Sequence, residues 1–500
     1  MSPDNRSEGV ILAVDQGTTG TKALLLDSKL NVLSEVGEEF PQHFPSPGWV
    51  EHDPLDIFES VRSTVLKALA SAEVNADKIR AIGITNQRET TLLWEKNGGK
   101  PIHRAIVWQD RRTTEFCEEL RREGLESLFR LKTGLLLDPY FSGTKIRWLL
   151  DNVSGARKQA EAGNLIFGTV DTYVTWRLTN GDSHVTDVSN ASRTLLMDLE
   201  SSGWDAELLD LLKVPEVLLP EIRDNDQTFG HTRGLDFLPD GIPIASLVGD
   251  QQAALFGQVC FEPGEAKCTY GTGAFLVLNT GSEIVRSKRG MLSTTAWRLG
   301  GNTCYALEGA SFIAGAIVQW LRDGLGVIRR SEDVEELAQT VSSSDGVVFV
   351  PSLTGLGAPY WDPKARGVIS GITRGTTAGH IARAALEGIA LQIHDILRAM
   401  QQDLGKPIPE LKVDGAAARN DGLVQFQADV LGIDAVRPQI TSTTSLGAAL
   451  QAGLSIGLFP SIAEIRKIWK EEARFRPKMK KRELNEHLER WNKGVRQARL

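Results

Sequence analysis

Two short turns rich in glycine and threonine, separated by half of the chain, constrain the fold more than any other feature of the sequence. The first is Gly17–Thr21 and the second is Gly271–Gly273, and each lies between two apolar runs. Two such runs joined by a short glycine-containing connection predict a β-hairpin. Gly271 follows Gly17 by 254 residues in a chain of 500. This spacing predicts two similar halves, although length alone would suggest about three domains.

Strand and helix patterns alternate after the first hairpin. Short apolar runs predict strands at Ile79–Ile84, Ala105–Val107 and Leu165–Phe167. Mixed polar and apolar stretches predict helices at Ile57–Ala70 and Thr113–Arg122. Hairpins followed by this alternation indicate an α/β protein with mixed sheets and helices on the faces of the sheets.

The break between the two halves is predicted directly after a helix that contains Gln251–Phe256, near Val259–Pro263. We therefore expect one domain over residues 1–258 and a second over residues 259–500. In this arrangement the two Gly/Thr turns face each other across a cleft between the domains.

Composition and charge exclude several classes of protein. Hydrophobic residues make up 41% of the chain and charged residues 24%, values typical of a globular protein rather than a disordered or collagen-like one. The 56 Lys and Arg against 64 Asp and Glu give a formal charge of −8 and a pI of about 5.7. A nucleic-acid-binding domain is normally basic. We therefore expect small-molecule partners and no nucleic acid.

Cysteine usage and the lack of long apolar runs both bear on where the protein is located. The four cysteines, Cys117, Cys260, Cys268 and Cys304, are scattered without a Cys-x-x-Cys pair, which argues against structural zinc and a disulfide framework. Residues 1–9 are polar and contain no apolar signal segment. No apolar run approaches the roughly 18 to 20 residues needed to span a bilayer. The expectation is a cytoplasmic protein without membrane insertion.

The carboxyl-terminal segment Arg466–Leu500 is basic, with 13 Lys and Arg against five Glu. Leu484, Leu488, Trp491 and Val495 recur within it at helical spacing, which predicts a helix with one face packed on the body of the protein. A solvated terminal helix is therefore favoured over a contact with nucleic acid or membrane.

The first Gly/Thr turn is a candidate phosphate-binding site. Gly17–Lys22 lacks the spacing of a P-loop, but such a turn presents several backbone N–H groups and hydroxyls, as an anion-binding nest does. Asp15, at the end of the preceding strand, is placed to hold a phosphate-bound Mg²⁺ through water. Considered alone, the segment is better explained as an ordinary hairpin turn. The second Gly/Thr turn favours phosphate binding, because two such turns can hold phosphates from opposite sides of a cleft.

A third segment, Val413–Asn420, is rich in glycine and alanine. It follows a predicted strand and precedes a predicted helix at Leu423–Leu431. Strand-to-helix turns of this kind contact the base or ribose of a nucleotide in doubly wound α/β proteins. A tight connection that uses glycine for packing is an adequate alternative.

Polar residues follow several predicted strands. Arg88 supplies only hydrogen-bond donors and Glu89 only acceptors, so this adjacent pair can clamp neighbouring hydroxyls of a polyol; the alternative is a surface ion pair. Asp250 ends an apolar run and begins a helix, where it serves either as an N-cap or as a base that takes a hydroxyl proton during phosphoryl transfer. Trp108 and Tyr140 lie in loops after apolar segments, and core packing is the alternative for both.

Together these motifs resemble those of the FGGY carbohydrate kinases, and most strongly those of the members that phosphorylate glycerol. The resemblance extends from about Val10 to Phe459. The matching segments are Asp15–Thr19, Thr85–Thr91, Val107–Thr113, Gly249–Leu255, Gly355–Pro363 and Ala365–Gly367. So many ordered matches make a chance similarity negligible.

The resemblance implies an actin-like ATPase fold, made of two ribonuclease-H-like domains with the active site in the cleft between them. It implies ATP-dependent phosphorylation of glycerol at its terminal (sn-3) hydroxyl, with ATP and Mg²⁺ as cofactors. By position, the residues that would bind glycerol are Arg88, Glu89, Tyr140, Asp250 and Gln251, with Trp108 and Phe275 as an apolar wall. Asp250 would be the general base.

The resemblance also implies where the nucleotide lies. The phosphates would meet Thr18, Thr19, Gly20, Lys22, Gly271 and Thr272, the nucleoside would lie near Gly315, Gln319, Ala416 and Asn420, and Asp15 would organise Mg²⁺. Lys22 stands where many relatives have arginine, so a bidentate phosphate contact becomes a point charge. Gly415–Ala416 replaces a pair of glycines, and the added methyl group would crowd the backbone approach to ATP.

Two other functions stay open at this point. One is a sister kinase for another polyol or a ketose, which the match to the glycerol pattern disfavours. The other is an ATP-binding regulator or filament protein of the actin-like superfamily, which a substrate site built from Asp250, Arg88 and Glu89 disfavours. We also expect a homo-oligomer, either a dimer or a tetramer.

Overall fold

Two large mixed β-sheets, one from each half of the chain, form the framework of the protein. The computed structural model describes residues 9–499. The prediction that the chain opens without a signal segment falls almost entirely on residues 1–8, outside the described residues, and it stays a prediction.

The first half contains most of the short strands. Its strands are β1 (Val10–Gln16), β2 (Gly20–Leu26), β3 (Val32–Glu39), β4 (Glu51–His52), β5 (Ile79–Asn86), β6 (Leu92–Glu95), β7 (Ala105–Ile106), β8 (Leu165–Gly168), β9 (Val185–Asp187), β10 (Met197–Asp198), β11 (Gly203–Trp204), β12 (Glu221–Arg223), β13 (Gly230–His231) and β14 (Pro243–Gly249). Its helices are α1 (Pro54–Ala72), α2 (Thr114–Arg122), α3 (Glu126–Thr133), α4 (Ser142–Asn152), α5 (Ala156–Glu161), α6 (Val170–Leu178), α7 (Val188–Ala191), α8 (Ala206–Leu212) and α9 (Asp250–Gly257), with 3₁₀ turns at Ala76–Lys78 and Glu216–Leu218. The predicted strands and helices of this half are confirmed as β5, β7, β8, α1 and α2.

The second half has longer strands and the longest helix. Its strands are β15 (Ala266–Tyr270), β16 (Ala274–Gly281), β17 (Leu292–Leu299), β18 (Asn302–Ser311), β19 (Val348–Val350), β20 (Val368–Ser370), β21 (Glu410–Asp414), β22 (Asp434–Pro438) and β23 (Glu471–Phe475). Its helices are α10 (Gly315–Asp323), α11 (Asp333–Gln339), α12 (Ala378–Leu404), α13 (Asp421–Leu431), α14 (Thr443–Ser455), α15 (Ile462–Ile468) and α16 (Lys481–Ala498), with a 3₁₀ turn at Ala416–Arg419.

The two sheets share one topology. The first has the order β13-β14-β5-β1-β2-β3 and the second β17-β18-β16-β15-β21-β22-β23. In both, three strands form an antiparallel meander (β1-β2-β3 and β15-β16-β18). One strand (β5 or β21) pairs in parallel with the first member of the meander, and another (β14 or β22) pairs in parallel with that added strand. The prediction of an α/β fold with two similar halves, each opening with a hairpin, is confirmed.

Helices cover both faces of the first sheet, and side chains along β1 alternate between them because successive strand residues point to opposite faces. Val10, Leu12 and Val14 lie in the core beneath α1 and α6, whereas Ile11 and Ala13 pack against α14. Helix α14 comes from the second half of the sequence. The chain therefore returns to its first sheet. The proposed boundary at 258/259 separates two halves of the sequence, but side chains from beyond it still form part of the core around the first sheet.

The carboxyl-terminal helix α16 packs on the second half, as the spacing of its apolar residues predicts. Trp491 and Val495 are buried, and Leu484 and Leu488 are partly buried against the same core. Within residues 9–499, no helix is long and apolar enough to cross a membrane. The four cysteines are free thiols.

Candidate active site

The candidate site lies at the carboxyl ends of three neighbouring parallel strands, β1, β5 and β14. Gln16 pairs with Asn86, and Asn86 pairs with Gly249. Residues near these strand ends therefore meet at one edge of the sheet, which is where open α/β sheets bind ligands. The acidic and basic residues brought together there are Asp15, Arg88, Glu89 and Asp250.

Arg88 and Glu89 are buried, which rules out the alternative of a surface ion pair. Arg88 is 2% exposed and Glu89 1%. Glu89 has a φ of 60°, a conformation that is costly for a residue other than glycine and that clusters at functional sites. Its main-chain carbonyl accepts hydrogen bonds from Ser142 Oγ at 3.0 Å and from Lys145 Nζ at 3.4 Å. These bonds help to hold the turn.

The guanidinium of Arg88 is engaged by protein acceptors on every nitrogen. Nη1 donates to Gln252 Oε1 at 3.1 Å, and Nη2 donates to Tyr140 Oη at 3.4 Å. Both also donate to the carboxylate of Glu308, at 2.5 and 3.0 Å. Nε lies 3.1 Å from Asp250 Oδ1. An arginine has five N–H groups; the four on Nη1 and Nη2 are hydrogen-bonded, and Nε forms an ion pair with Asp250.

Glu308 reaches this cluster from the other half of the molecule. It is fully buried on β18, and its Oε1 accepts a further hydrogen bond from Arg193 Nη2 at 2.9 Å. Arg193 Nε donates in turn to Glu89 Oε1 at 2.7 Å, and Arg88 Nε lies 3.8 Å from the same atom. Although burial raises the pKa of Glu308, the guanidinium groups of Arg193 and Arg88 lower it to about 2. The four side chains form a ring of alternating charge that joins the two halves.

Asp250 is the most exposed acid of this cluster. Its side chain is 29% exposed, against 2% or less for Glu89 and Glu308. It is the first residue of α9, and the N-cap is Gly249, so the N-cap alternative for Asp250 does not hold. Its Oδ1 accepts a hydrogen bond from the backbone N–H of Gln251 at 2.7 Å. A partly exposed carboxylate in this position can receive a proton from an incoming ligand.

Three aromatic side chains drawn from both halves form one contiguous wall. The ring of Trp108 lies 5.5 Å from that of Tyr140 and 6.3 Å from that of Phe275, centroid to centroid, both edge-on. Trp108 and Phe275 are half-buried, whereas Tyr140 is buried. Trp108 Nε1 donates to Thr18 Oγ1 at 2.8 Å, so the wall is tied to the first Gly/Thr turn. Core packing does not account for the exposed part of Trp108 and Phe275.

A buried lysine of the second sheet orients Gln251. Lys267 Nζ on β15 donates to Gln251 Oε1 at 2.5 Å and to Thr269 Oγ1 at 2.9 Å. Lys267 is fully buried, and burial lowers its pKa below the usual range. Because the amide oxygen of Gln251 faces Lys267, its NH₂ group points away from the lysine.

Each Gly/Thr turn is closed by a backbone hydrogen bond, which spans three residues in the first turn and two in the second. Gly17 N–H donates to the Gly20 carbonyl at 2.9 Å, and Gly271 N–H donates to the Gly273 carbonyl at 2.9 Å. Both turns present exposed threonine, Thr19 in the first and Thr272 in the second; Gly271 is exposed as well, and Thr18 and Gly20 are half-buried. Exposed hydroxyls on a glycine-rich turn suit an anionic ligand.

Asp15 is the penultimate residue of β1, beside the first Gly/Thr turn. Burial raises its pKa to about 6, a shift that the ammonium of Lys22 opposes and the charge of Asp250 reinforces. Lys22 is exposed and is the partner of Asp15 across the β1–β2 hairpin. Among residues 9–499, no group of three or more His, Cys, Asp or Glu is placed to hold a metal. Mg²⁺ commonly binds through one or two carboxylates, substrate phosphates and water, so a site at Asp15 fits this donor set.

Gly315 and Gln319 lie at the start of α10, against the second Gly/Thr turn. Gly315 N–H donates to the Gly271 carbonyl at 2.9 Å, and a Cβ at position 315 would lie 2.7 Å from that oxygen. Glycine is therefore required for this close approach. Gln319 follows about one helical turn later and is exposed.

Ala416 begins the 3₁₀ turn that follows β21, and Asn420 directly follows that turn. Thr269 of β15 pairs with Asp414 of β21, which brings this segment next to the second Gly/Thr turn. Gly415 has a φ of 87°, and a Cβ there would lie 2.4 Å from the Tyr270 carbonyl. Ala416 is exposed. Asn420 is the N-cap of α13, since its Oδ1 accepts from Leu423 N–H at 2.8 Å.

Sequence reasoning missed part of this site, namely Arg193, Gln252, Lys267 and Glu308. A signal exists for Lys267 and Glu308, because each is a single charged residue in a largely apolar strand and a charge buried there needs a partner. Nothing in the sequence around Arg193 distinguishes it from a surface arginine.

Comparison with known proteins gives consistent matches over almost the whole chain. Residues 10–257 match the model for the amino-terminal domain of the FGGY family of carbohydrate kinases, and residues 266–456 match the model for its carboxyl-terminal domain. A glycerol kinase of Myxococcus xanthus (strain DK1622) is 58% identical over 490 residues, which cover 98% of this chain and 99% of the relative.

Solved structures of this fold align along the full length as well. The crystal structure of Plasmodium falciparum glycerol kinase with ADP is 35% identical, with a TM-score of 0.91 and coverage of 99% of both chains. A ligand-bound xylulose kinase of Lactobacillus acidophilus aligns with a TM-score of 0.86 at 23% identity, over 97% of both chains. At that identity the likeness concerns the fold alone.

Proposed function

The chain belongs to the FGGY family of carbohydrate kinases, and from that premise we propose that it transfers the γ-phosphoryl group of ATP to the terminal hydroxyl of glycerol, giving sn-glycerol 3-phosphate. The observation that carries this proposal is the meeting of Asp250, partly exposed, with the buried Arg88–Glu89 pair at one edge of the first sheet. The Myxococcus relative, at 58% identity over nearly the whole chain, supports glycerol as the acceptor.

The groups around Arg88 suit a small polyol. Arg88 and Tyr140 offer donors, and Glu89 offers an acceptor, so adjacent hydroxyls can be held by complementary groups. The NH₂ group of Gln251, turned away from Lys267, is a further donor. Trp108 and Phe275 cover the carbon side of the substrate. An apolar wall opposite a few fixed polar groups is the usual construction of a small-molecule site.

Asp250 acts as the general base. It accepts the proton of the terminal hydroxyl as the oxygen–phosphorus bond forms and the bond to the leaving ADP breaks. Phosphoryl transfer demands little covalent chemistry from the protein, so the barrier falls mainly through positioning and electrostatic stabilisation.

ATP lies between the two halves. Its phosphates contact the first Gly/Thr turn through Thr18, Thr19, Gly20 and Lys22, and the second Gly/Thr turn through Gly271 and Thr272. The nucleoside lies near Gly315, Gln319, Ala416 and Asn420. The two exposed turns, each closed by a backbone hydrogen bond from its first glycine to its last, support this arrangement. The Plasmodium structure, solved with ADP, supports a nucleotide in the family fold.

Asp15 is the residue that would hold Mg²⁺, directly or through water. When bound, the ion neutralises charge on the transferred phosphoryl group. The negative charge of Asp250 contributes to the raised pKa of Asp15, and a cation held by Asp15 would offset that repulsion. We also propose a cytoplasmic location, in keeping with the four free thiols; a homo-oligomeric assembly stays a prediction.

A coupled assay of ADP release tests the acceptor. We expect glycerol to give the highest kcat/KM among glycerol, dihydroxyacetone, erythritol and xylulose. A higher kcat/KM with one of the other three would replace glycerol by that compound and favour a sister kinase. ATP binding without turnover of any acceptor would favour a regulator or filament protein instead.

A further inference from the structure

Two buried arginines lie within the site proposed for a neutral polyol. Unless their charges are neutralised, they would attract anions to that site. Arg88 is 2% exposed and Arg193 is fully buried. A guanidinium in a low-dielectric interior attracts carboxylates and phosphates strongly. We propose that Glu308 is a specificity-determining residue, which neutralises Arg88 and Arg193 and so reserves the site for neutral polyols against three-carbon anions. This inference rests on the proposed function.

Glu308 satisfies three of the N–H groups on these two arginines. It accepts from both Nη1 and Nη2 of Arg88 and from Nη2 of Arg193. Because Glu308 is fully buried, it acts on a substrate through the arginines and is a positioning residue rather than a catalytic one. Arg193 Nη1 has no hydrogen-bond partner among the described residues. Without Glu308, donors on both arginines would be left unpaired.

The charge balance of the cluster shows what the carboxylate of Glu308 contributes. Arg88 and Arg193 carry two positive charges, and Glu89, Asp250 and Glu308 carry three negative ones, so the cluster is net negative by one charge. An amide at position 308 would remove that excess. Two buried lysines, Lys145 and Lys267, lie outside this ring and donate only to uncharged oxygens. Burial lowers the pKa of both, that of Lys145 to about 7, and so favours their neutral forms.

The charge balance of this cluster also affects how tightly the product is held. Phosphorylation turns a neutral substrate into an anion, and unpaired guanidinium groups beside the site would retain it. With Glu308 in place, the arginines position hydroxyls but hold an anion weakly, which favours release of the product.

The test compares neutral and anionic ligands on Glu308→Gln, a change that preserves shape and removes the charge. D-glycerate, which has a carboxylate in place of one hydroxymethyl group, is titrated calorimetrically into the full-length protein without nucleotide. We expect D-glycerate to bind Glu308→Gln about tenfold more tightly than wild type, or better, because one negative charge near the ligand is gone. Inhibition by sn-glycerol 3-phosphate should strengthen in parallel, while the affinity for glycerol falls.

Two further variants separate charge from structure. Glu308→Asp keeps the charge at altered geometry, so it should show no gain in glycerate affinity. Glu387→Gln is the matched control: Glu387 is a buried glutamate of α12 that is paired with Arg383 at 3.2 Å, and its loss should leave glycerate binding unchanged. A gain in glycerate affinity caused by general loosening of the structure would appear in all three variants. The proposal requires that gain in Glu308→Gln alone.

The proposal is overturned if folded Glu308→Gln gains no affinity for glycerate, or if Glu308→Asp gains as much. Wild type provides a measurement should Glu308→Gln fail to fold: 3-amino-1,2-propanediol, with an ammonium group, should bind more tightly than D-glycerate, and the reverse order would refute the charge balance. These binding measurements require no turnover. A wild-type protein that does not phosphorylate glycerol would contradict the proposed function on its own, separately from the role of Glu308.

Discussion

The N–H groups on Nη1 and Nη2 of Arg88 are hydrogen-bonded to protein acceptors, whereas Nε forms an ion pair with Asp250, so a substrate hydroxyl can exchange most readily at Nε. The longest hydrogen bond is the one to Tyr140 Oη, at 3.4 Å, and the most exposed partner is Asp250, 3.1 Å from Nε. Exchange at Nε would leave the carboxylate of Asp250 free to accept the hydroxyl proton. Substrate binding and activation of the base would then be one event.

Asp250→Asn tests this role of the carboxylate. The amide keeps the shape of the side chain and cannot accept the hydroxyl proton, so we expect kcat to fall by about 10²- to 10⁴-fold. Binding of glycerol and of ATP should be largely kept. Steady-state kinetics of ADP release and calorimetric titration of each ligand provide the two measurements.

Asp56→Asn is a suitable control for this experiment. Asp56, like Asp250, is an acidic residue in the first turn of a helix, but it lies on α1, away from the strand ends of the site. It should retain wild-type kcat. Full activity in Asp250→Asn would remove Asp250 as the base.

His52 links pH to stability near the first Gly/Thr turn. Its Nε2 lies 2.7 Å from Gln42 Oε1 and its Nδ1 lies 3.3 Å from Gln87 Nε2, so the neutral ring donates through Nε2 and accepts through Nδ1. Gln87 Nε2 also donates to the Gly17 carbonyl at 3.1 Å. Burial, with a smaller effect of His43, lowers the pKa of His52 to about 3.

Because the folded state holds His52 neutral, the unfolded state takes up a proton first as the pH falls below about 6.5. Stability is therefore lost between about pH 6.5 and pH 3, and the loss from this group by pH 5 is about 2 kcal/mol. We expect His52→Gln to lose less stability between pH 7 and pH 5 than wild type, measured by urea unfolding. His231→Gln, at an exposed histidine, should follow wild type. Equal pH dependence in wild type and His52→Gln would contradict this account.

The residues of the site divide into those that local sequence reveals and those that it cannot. Arg88, Glu89 and Asp250 follow apolar strands, and that pattern marks them as residues of a sheet edge. Glu308 pairs with Arg88 across 220 positions of sequence. Such a pairing depends on how the two sheets are placed relative to each other, and a local sequence pattern does not predict that placement.

At the scale of elements, the contact between α9 and α14 sets the position of Asp250, the proposed base. Asp250 begins α9, and α14 packs so closely against α9 that two glycines are needed. A Cβ at Gly447 would lie 1.9 Å from the Ala253 carbonyl, and one at Gly257 would lie 2.1 Å from the Thr443 carbonyl. Neither helix can adopt this spacing with a larger residue at these points.

Gly447→Ala should therefore both destabilise the protein and impair catalysis. Overpacking of a tight contact costs about 1–3 kcal/mol, and the displaced α9 would carry Asp250 away from Arg88. We expect a lower melting temperature and a lower kcat for ADP release. Gly375→Ala is the control, because Gly375 is exposed and its added Cβ would meet only Thr373 Oγ1, at 3.8 Å; a wild-type melting temperature for Gly447→Ala would contradict the packing argument.

The pattern of elements was predictable where strand and helix periodicity decides it. The two hairpins and β5 follow from short apolar runs with their glycine-containing connections, and α16 follows from the helical spacing of its apolar residues. The docking of α14 on the first sheet could not be predicted. Most residues of α14 are buried, which indicates a helix packed on more than one side but does not indicate which sheet it covers. Only the return of the chain to its first half settles that.

At the scale of the whole molecule, neither half contains a complete site. Trp108 and Arg88 belong to the first half, whereas Phe275 and Glu308 belong to the second. The two Gly/Thr turns are likewise divided between the halves. A ligand that contacts both turns gains most when the halves approach each other, since each turn can then contribute its donors to the same phosphates.

We therefore expect ATP and glycerol together to close the two halves, as substrates close the lobes of many enzymes. Small-angle X-ray scattering of Asp250→Asn, which should bind both substrates without turning them over, should show a smaller radius of gyration with ATP and glycerol than without ligands. Glycerol alone should have a smaller effect, because it does not reach both turns. If the scattering profile stays the same with ATP and glycerol while calorimetry records binding of both, the nucleotide is bound by one half alone, and the proposed division of the phosphate contacts between the two turns fails.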